Sequence, residues 1–97
     1  GWITAGERLE YAITVPASGY YDLIARVASP HAGKSFSVLR GATDLTGLVS
    51  VPTTGAHQRW QSVTKRGVYL PAGTHRLLFT TTTGGFNLNW ISLSRTQ

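Results

Sequence analysis

The side chains with the most distinctive binding chemistry stand near the two ends of the chain. Trp2 lies in the opening stretch GWITAGE, before the first alternating segment, and Asn87 follows the glycine pair Gly84–Gly85. An aromatic ring can stack on the apolar face of a sugar ring, and a carboxamide has both donors and acceptors for adjacent hydroxyls. This pattern indicates sugar binding, with Trp2 as an exposed platform and Asn87 reaching out from a loop end.

The sequence has few residues that could catalyse a reaction. The chain has four carboxylates, at Glu7, Glu10, Asp22 and Asp44. A glycosidase usually needs two facing carboxyls, whereas the first two acids are an odd number of residues apart and should point to opposite faces of a strand. Nucleophile-elbow, zinc-protease and phosphate-loop motifs are all missing from the sequence, and the three histidines are scattered. We therefore predict that the chain is not an enzyme and has no catalytic or metal-binding residues.

The amino-acid composition limits which classes of protein and which binding partners are possible. The 97 residues suit one domain over residues 1–97, and 41% hydrophobic against 13% charged residues is typical of a globular protein. Cysteine is absent, which excludes disulfides and thiolate metal sites. No apolar run is long enough to cross a membrane. The net charge of +5 comes from dispersed basic residues, which favours general solubility over a nucleic-acid site. We predict neither nucleic acid nor membrane as a partner.

Strand periodicity dominates the elements that must position these residues. Alternation of period two is clear in RLEYAITV and YYDLIARV, and no segment has a helical apolar stripe. Strands are predicted at 8–16, 20–29, 35–41, 45–52, 59–71 in two pieces, 74–83, and from 86 onward. Short strands separated by turn residues predict an all-β sandwich. We expect four aromatic side chains in or partly in the core: Tyr11, Tyr21, Trp60 and Trp90.

The last strand does not keep one apolar face. Phe86, Leu88 and Trp90 share one parity, whereas Ile91 and Leu93 share the other. Either the strand is buried on both sides near its end, or a β-bulge near residue 90 switches the faces.

Four ordered motifs resemble carbohydrate-binding modules of family 6. They are GWITAGERLEY, VPTTGAHQRW, LPAGTHRLLF and GGFNLNWISL, and together they extend over essentially the whole chain. The resemblance implies a β-jelly-roll sandwich of short antiparallel strands. It also implies a secreted, non-catalytic module attached to a catalytic domain, binding a β-linked polysaccharide such as a xylan, a β-glucan or an agar-type galactan.

The resemblance also implies a specific site. In these modules two aromatic residues sandwich a sugar ring beside an asparagine, and the matching positions are Trp2, His57 and Asn87. Histidine is a smaller and more polar platform than the usual aromatic. In the family an N-terminal strand precedes the position of Gly1, and this sequence does not include it. The histidine and the absence of this strand from the sequence favour an alternative function. The alternative is a structural or protein-interaction jelly roll that has lost sugar binding.

Two further positions depart from the family pattern. A second site on the concave sheet face uses an aromatic residue where this chain has Arg8, and Glu10 shares that face and could pair with it as a neighbour. Asn89 stands where an aspartate often helps to bind structural calcium, and its partner carboxylates belong to the strand before Gly1. We therefore predict no cofactor and no tight calcium site. Without that strand the sandwich would have an unpaired edge, which would permit self-association unless a strand from elsewhere pairs with it.

Overall fold

The computed structural model describes residues 1–96, which form nine β-strands and no helix. The strands are β1 (Trp2–Ile3), β2 (Arg8–Val15), β3 (Gly19–Ala28), β4 (Lys34–Arg40), β5 (Thr43–Asp44), β6 (Val49–Val51), β7 (Gln61–Leu70), β8 (Gly73–Thr80) and β9 (Phe86–Arg95). Their pairs are antiparallel and form two sheets, which confirms the predicted all-β sandwich. No helix in this part of the chain could span a membrane.

The two sheets enclose one apolar core. The four-stranded sheet has the order β1-β9-β3-β7, and the five-stranded sheet has the order β2-β8-β4-β5, with β6 also paired to β4. Phe36 and Phe79 stack with ring centroids 4.7 Å apart, and Phe86 packs against Phe79 from the opposite sheet. Burying each such side chain contributes roughly 1.5–3 kcal/mol. This packing joins β9, which carries Asn87, to the rest of the sandwich.

Alternation determines which residues face the core. In β3, Tyr21, Leu23, Ala25 and Val27 are buried, and the even-numbered residues between them point to the outer face of the four-stranded sheet. Tyr21 is therefore in the core as predicted, and Tyr11 and Trp60 are half-buried.

Of the two arrangements that the sequence left open for the last strand, the structure has the β-bulge, and Trp90 does not lie where it was expected. Val27 pairs with Leu88 but the adjacent Arg26 pairs with Trp90, so Asn89 is an extra residue in β9. After the bulge the odd-numbered residues turn inward and Trp90 turns out. Trp90 is 42% exposed, and the prediction that it belongs to the core was wrong.

Five elements differ from the predicted boundaries. Strand β5 forms where a turn was predicted, and β8 ends at Thr80 although its strand was predicted to reach residue 83. Strand β1 is only two residues long, too short to show a periodicity. The segment 59–71 contains one strand, β7, in which a register shift opposite Asp22 replaces the predicted break. Only Val49–Val51 of the predicted strand 45–52 is extended, because Gly47 adopts a φ of 64° and interrupts it.

One side of β9 is largely free. Strand β1 covers Phe86 and Asn87, and Gly1 exchanges backbone hydrogen bonds with Leu88. Beyond Leu88 the outer edge of β9 has no strand partner among residues 1–96. An unpaired edge at this place was expected from the family resemblance.

Candidate functional site

Trp2 and Asn87 are cross-strand neighbours at one end of the sandwich. Their Cα atoms are partners in the β1–β9 ladder. Ile3, Phe86 and Leu88 beside them are buried, so alternation turns both side chains to the outer face of the four-stranded sheet. The Trp2 side chain is 43% exposed, as predicted for a platform.

His57 completes the cluster from the loop between β6 and β7. Its imidazole stacks on the Trp2 indole with centroids 5.0 Å apart and an angle of 11° between the ring planes. The Asn87 side chain donates a hydrogen bond of 2.6 Å from Nδ2 to the backbone oxygen of His57. The structure thus brings together all three residues that the sequence predicted for the site.

Two buried hydroxyl residues, which the sequence analysis missed, hold the His57 loop in place. The backbone nitrogen of Ser29 donates to Thr54 Oγ1 at 3.0 Å, and the backbone nitrogen of Thr54 donates to the Ser29 oxygen at 2.8 Å. Thr54 Oγ1 also donates to the oxygen of Ala56 at 3.1 Å. Buried polar groups are stable only when hydrogen-bonded, so these contacts fix the loop one residue before His57. The TTG sequence at 53–55 is the one local feature that marks this turn.

The glycine pair before Asn87 permits a close approach of two turns. Gly84 and Gly85 have φ angles of 57° and 71°, a region that favours glycine. A Cβ on Gly84 would lie 2.8 Å from Ala5 Cα and still closer to backbone atoms of Thr4 and Ala5. The nitrogen of Gly85 donates to the oxygen of Ile3 at 2.7 Å. The pair therefore locks the chain around Trp2 against the turn that leads into Asn87.

The spacing of the Trp2–His57 stack limits what can enter it. Favourable carbon contacts lie at about 3.5–4 Å, so a sugar ring held between two aromatic rings requires them to be about 7–8 Å apart. The observed centroid separation is 5.0 Å. In this arrangement His57 itself covers the face of Trp2, and a ring can lie between them only after they separate.

The second predicted site is arranged differently from the expectation. Glu10 pairs with Arg76 at 3.1 Å across β2 and β8, not with its strand neighbour Arg8, because the diagonal cross-strand position places Arg76 within reach. Both partners are well exposed, and such pairs contribute little stability. Among residues 1–96, no aromatic side chain lies on the outer face of this five-stranded sheet. A ligand there would meet Arg8, hydroxyls and the ion pair.

The described residues do not fit the family's calcium site by themselves. Asn89 is exposed at the bulge, and no group of three or more histidine, aspartate or glutamate side chains lies together in residues 1–96. Calcium requires several oxygen ligands, usually including carboxylates.

Comparison with known proteins establishes the family of this chain. The model of the carbohydrate-binding module family 6 matches residues 1–95. The chain is a family 6 carbohydrate-binding module. Its fold is similar to the C-terminal module of a marine laminarinase from Zobellia galactanivorans, with a TM-score of 0.90 and 39% identity over 98% of this chain and 77% of that one. The strands of the two sheets therefore form the predicted jelly roll.

Two further relatives place the module in context. It is similar to a carbohydrate-binding module of Cellvibrio mixtus lichenase 5A solved with cellotriose, with a TM-score of 0.85 and 36% identity over 96% of this chain and 73% of that one. It is also 33% identical, over 86% of its length, to the clotting factor G alpha subunit of Tachypleus tridentatus. The module spans only 12% of that relative.

Proposed function

We propose that the module binds a neutral β-linked polysaccharide, foremost a β-glucan, through Trp2, His57 and Asn87. The observation that supports this most directly is the convergence of these side chains, since Trp2 stacks on His57 while Asn87 bonds the His57 backbone. Two similar modules belong to a laminarinase and a lichenase, and one of them was solved with cellotriose. A β-linked glucose oligomer is therefore the first ligand to test.

In this proposal the aromatic side chains stack on the sugar ring, and the asparagine side chain hydrogen-bonds its hydroxyls. The indole of Trp2 stacks against the C–H face of one sugar ring. The carboxamide of Asn87 keeps its carbonyl oxygen and one N–H available, which suits two adjacent hydroxyls. His57 separates from Trp2 as the ring enters and becomes the second platform. The hydrogen bond from Asn87 to the His57 backbone holds the loop next to β9 while the imidazole moves.

The module acts without catalysis, as a secreted domain that brings an attached enzyme to its substrate. All four carboxylates have structural partners instead of facing one another. Glu7 accepts from Thr4, Glu10 pairs with Arg76, Asp22 accepts from Gly67 and Thr96, and Asp44 accepts from Thr46 and Gly47. Residues 1–97 form the single unit that performs this role.

Binding of cellotriose and of a soluble β-glucan by calorimetry, after a glycan array, tests the proposal. Trp2→Ala should weaken binding by about 1–3 kcal/mol, by analogy with bases stacked on aromatic residues. It should cost less stability than the 3–5 kcal/mol typical of a fully buried tryptophan. Asn87→Ala should weaken binding too, whereas Asn89→Ala, an exposed asparagine two residues further on, serves as the matched control.

Substitution of His57 tests its role separately. His57→Ala should weaken binding and His57→Trp should strengthen it, because the larger ring is the better platform. If His57→Ala strengthens binding, the imidazole only covers Trp2. If the array shows no glycan bound, and Trp2→Ala and Asn87→Ala change nothing, the module is a structural or protein-interaction jelly roll.

A further inference from the structure

The exposed aromatic residues of the module are concentrated on one surface. Residues 1–96 include five large exposed apolar side chains: Trp2, Tyr20, Leu48, Tyr69 and Trp90. The four aromatic ones all lie on the outer face of the four-stranded sheet, and Leu48 lies in the loop between β5 and β6. Scattered exposed apolar residues need no explanation, but their grouping on one face indicates a contact surface.

Strand register orders these rings along the face. Trp90 follows Asn87 by three residues in β9, and its Cα partner is Arg26 of β3. Tyr20 lies at the other end of β3, where it faces Tyr69 across the β3–β7 ladder. The six residue-to-residue steps from Tyr20 to Arg26 extend about 20 Å. The face thus has aromatic groups at both ends, and one end adjoins the Trp2 site.

The surface between these rings is mostly polar, and it carries three charged side chains and one half-buried apolar one: Asp22, Arg26, Arg66 and Ile24. Four exposed hydroxyl side chains lie there: Ser62, Thr64, Ser92 and Ser94. Arg26 donates to Ser62 Oγ at 3.2 Å, and the Asp22 carboxylate accepts from the Gly67 nitrogen and Thr96 Oγ1. Hydroxyls flanked by aromatic faces suit a neutral polysaccharide. A protein interface would instead be expected to have a continuous apolar centre.

The tyrosine pair has more exposure than a purely structural pair needs. Tyr20 and Tyr69 meet edge to face with centroids 5.4 Å apart, and such cross-strand pairs do stabilise sheets. They remain 58% and 49% exposed, however, so much of their ring surface is available to a ligand.

We propose that the outer face of the four-stranded sheet is a second contact surface for the same polysaccharide. A chain held at Trp2 and Asn87 continues over Trp90 and reaches the Tyr20–Tyr69 pair. This inference rests on the proposed function, and it adds that a long glycan gains contacts that a trisaccharide is too short to make.

The test compares cellotriose with a soluble β-glucan polymer on the parent module and on the double variant Tyr20→Ala/Tyr69→Ala. Each stacked ring lost from a nucleic-acid complex costs about 1–3 kcal/mol, equivalent to roughly 5- to 150-fold in affinity. We expect the polymer affinity to fall at least about fivefold while the cellotriose affinity stays unchanged, which also shows that the variant is folded. Leu48→Ala, off the face, should change neither affinity. Tyr20→Phe/Tyr69→Phe, which keeps both rings, should retain polymer binding.

The remaining outcomes separate the two proposals. Unchanged polymer affinity in the double variant, with cellotriose still bound, overturns the second surface alone. So does a change of oligomeric state in sedimentation without a change in polymer affinity, which would assign the face to protein contact. Failure of the parent to bind any glycan overturns both proposals.

Discussion

Replacing Gly84 by alanine should damage the module far more than the same change at Gly85. Both glycines have positive φ angles, so each alanine pays about 1–2 kcal/mol for the left-handed conformation. At Gly85 the new methyl group meets only the end of the Lys34 side chain, at 2.9 Å from Nζ, which can move aside. Gly85→Ala is therefore a control with matched backbone strain.

At Gly84 the new methyl group meets backbone that cannot move aside. Its Cβ would lie 2.8 Å from Ala5 Cα and still closer to other backbone atoms of Thr4 and Ala5, so restoring ordinary contacts of about 3.5–4 Å requires the two turns to separate by more than about 1 Å. That movement disturbs two hydrogen bonds, from Gly85 to Ile3 and from Gly6 to Thr81, each with a net value of about 0.5–1.5 kcal/mol. The total for Gly84→Ala is about 2–5 kcal/mol, a large part of a typical domain stability of 5–15 kcal/mol.

Urea denaturation of the parent and both variants measures the difference, and the same samples are titrated with cellotriose. Gly84→Ala should also weaken glycan binding, because the separated turns displace Trp2, whereas Gly85→Ala should bind nearly as the parent does. Equal loss of stability in the two variants would refute the close approach at Gly84 as the reason for the glycine pair.

Four other predictions follow from features already described. Affinity for a neutral glycan should hardly change between low and high salt; a steep loss would instead indicate a polyanionic partner through counterion release. Micromolar calcium should leave the melting temperature unchanged, and a rise would reveal a calcium site that the described residues do not supply. Burial raises the pKa of Tyr11 above its ordinary 10.0, so the folded state holds this proton more tightly, and stability should fall as pH rises past about 10; Tyr11→Phe should flatten that decline in alkaline urea titrations. As an isolated module, this chain should self-associate with rising concentration in sedimentation, because the edge of β9 beyond Leu88 has no strand partner among residues 1–96; a monomer at every concentration would contradict this.

The parts of the fold that depend on alternation could be predicted, and those that depend on distant contacts could not. The parity conflict between Leu88 and Ile91 showed that the last strand could not keep one buried face. It left open whether the strand was buried on both sides or contained a bulge, and it did not reveal that Trp90 turns outward. Strand β1 is too short for any periodicity, although Trp2 itself was predicted to be exposed. Trp2 and Asn87 could be proposed from their chemistry and their positions beside turns, whereas His57 was found only through the matched family motif. Their closed arrangement, and the role of Ser29 and Thr54 in holding His57, depend on long-range packing that local sequence does not encode.

In the proposed binding mode, the Trp2–His57 stack competes with the ligand for the face of Trp2. The apparent dissociation constant equals the intrinsic one divided by the fraction of molecules whose rings are apart, so a module that is open 1% of the time binds about a hundredfold more weakly than its contacts allow. Affinity can then be adjusted without altering any atom that touches sugar. A substitution at Thr54 or Ser29 that loosens the loop raises the open fraction, and one that tightens the loop lowers it.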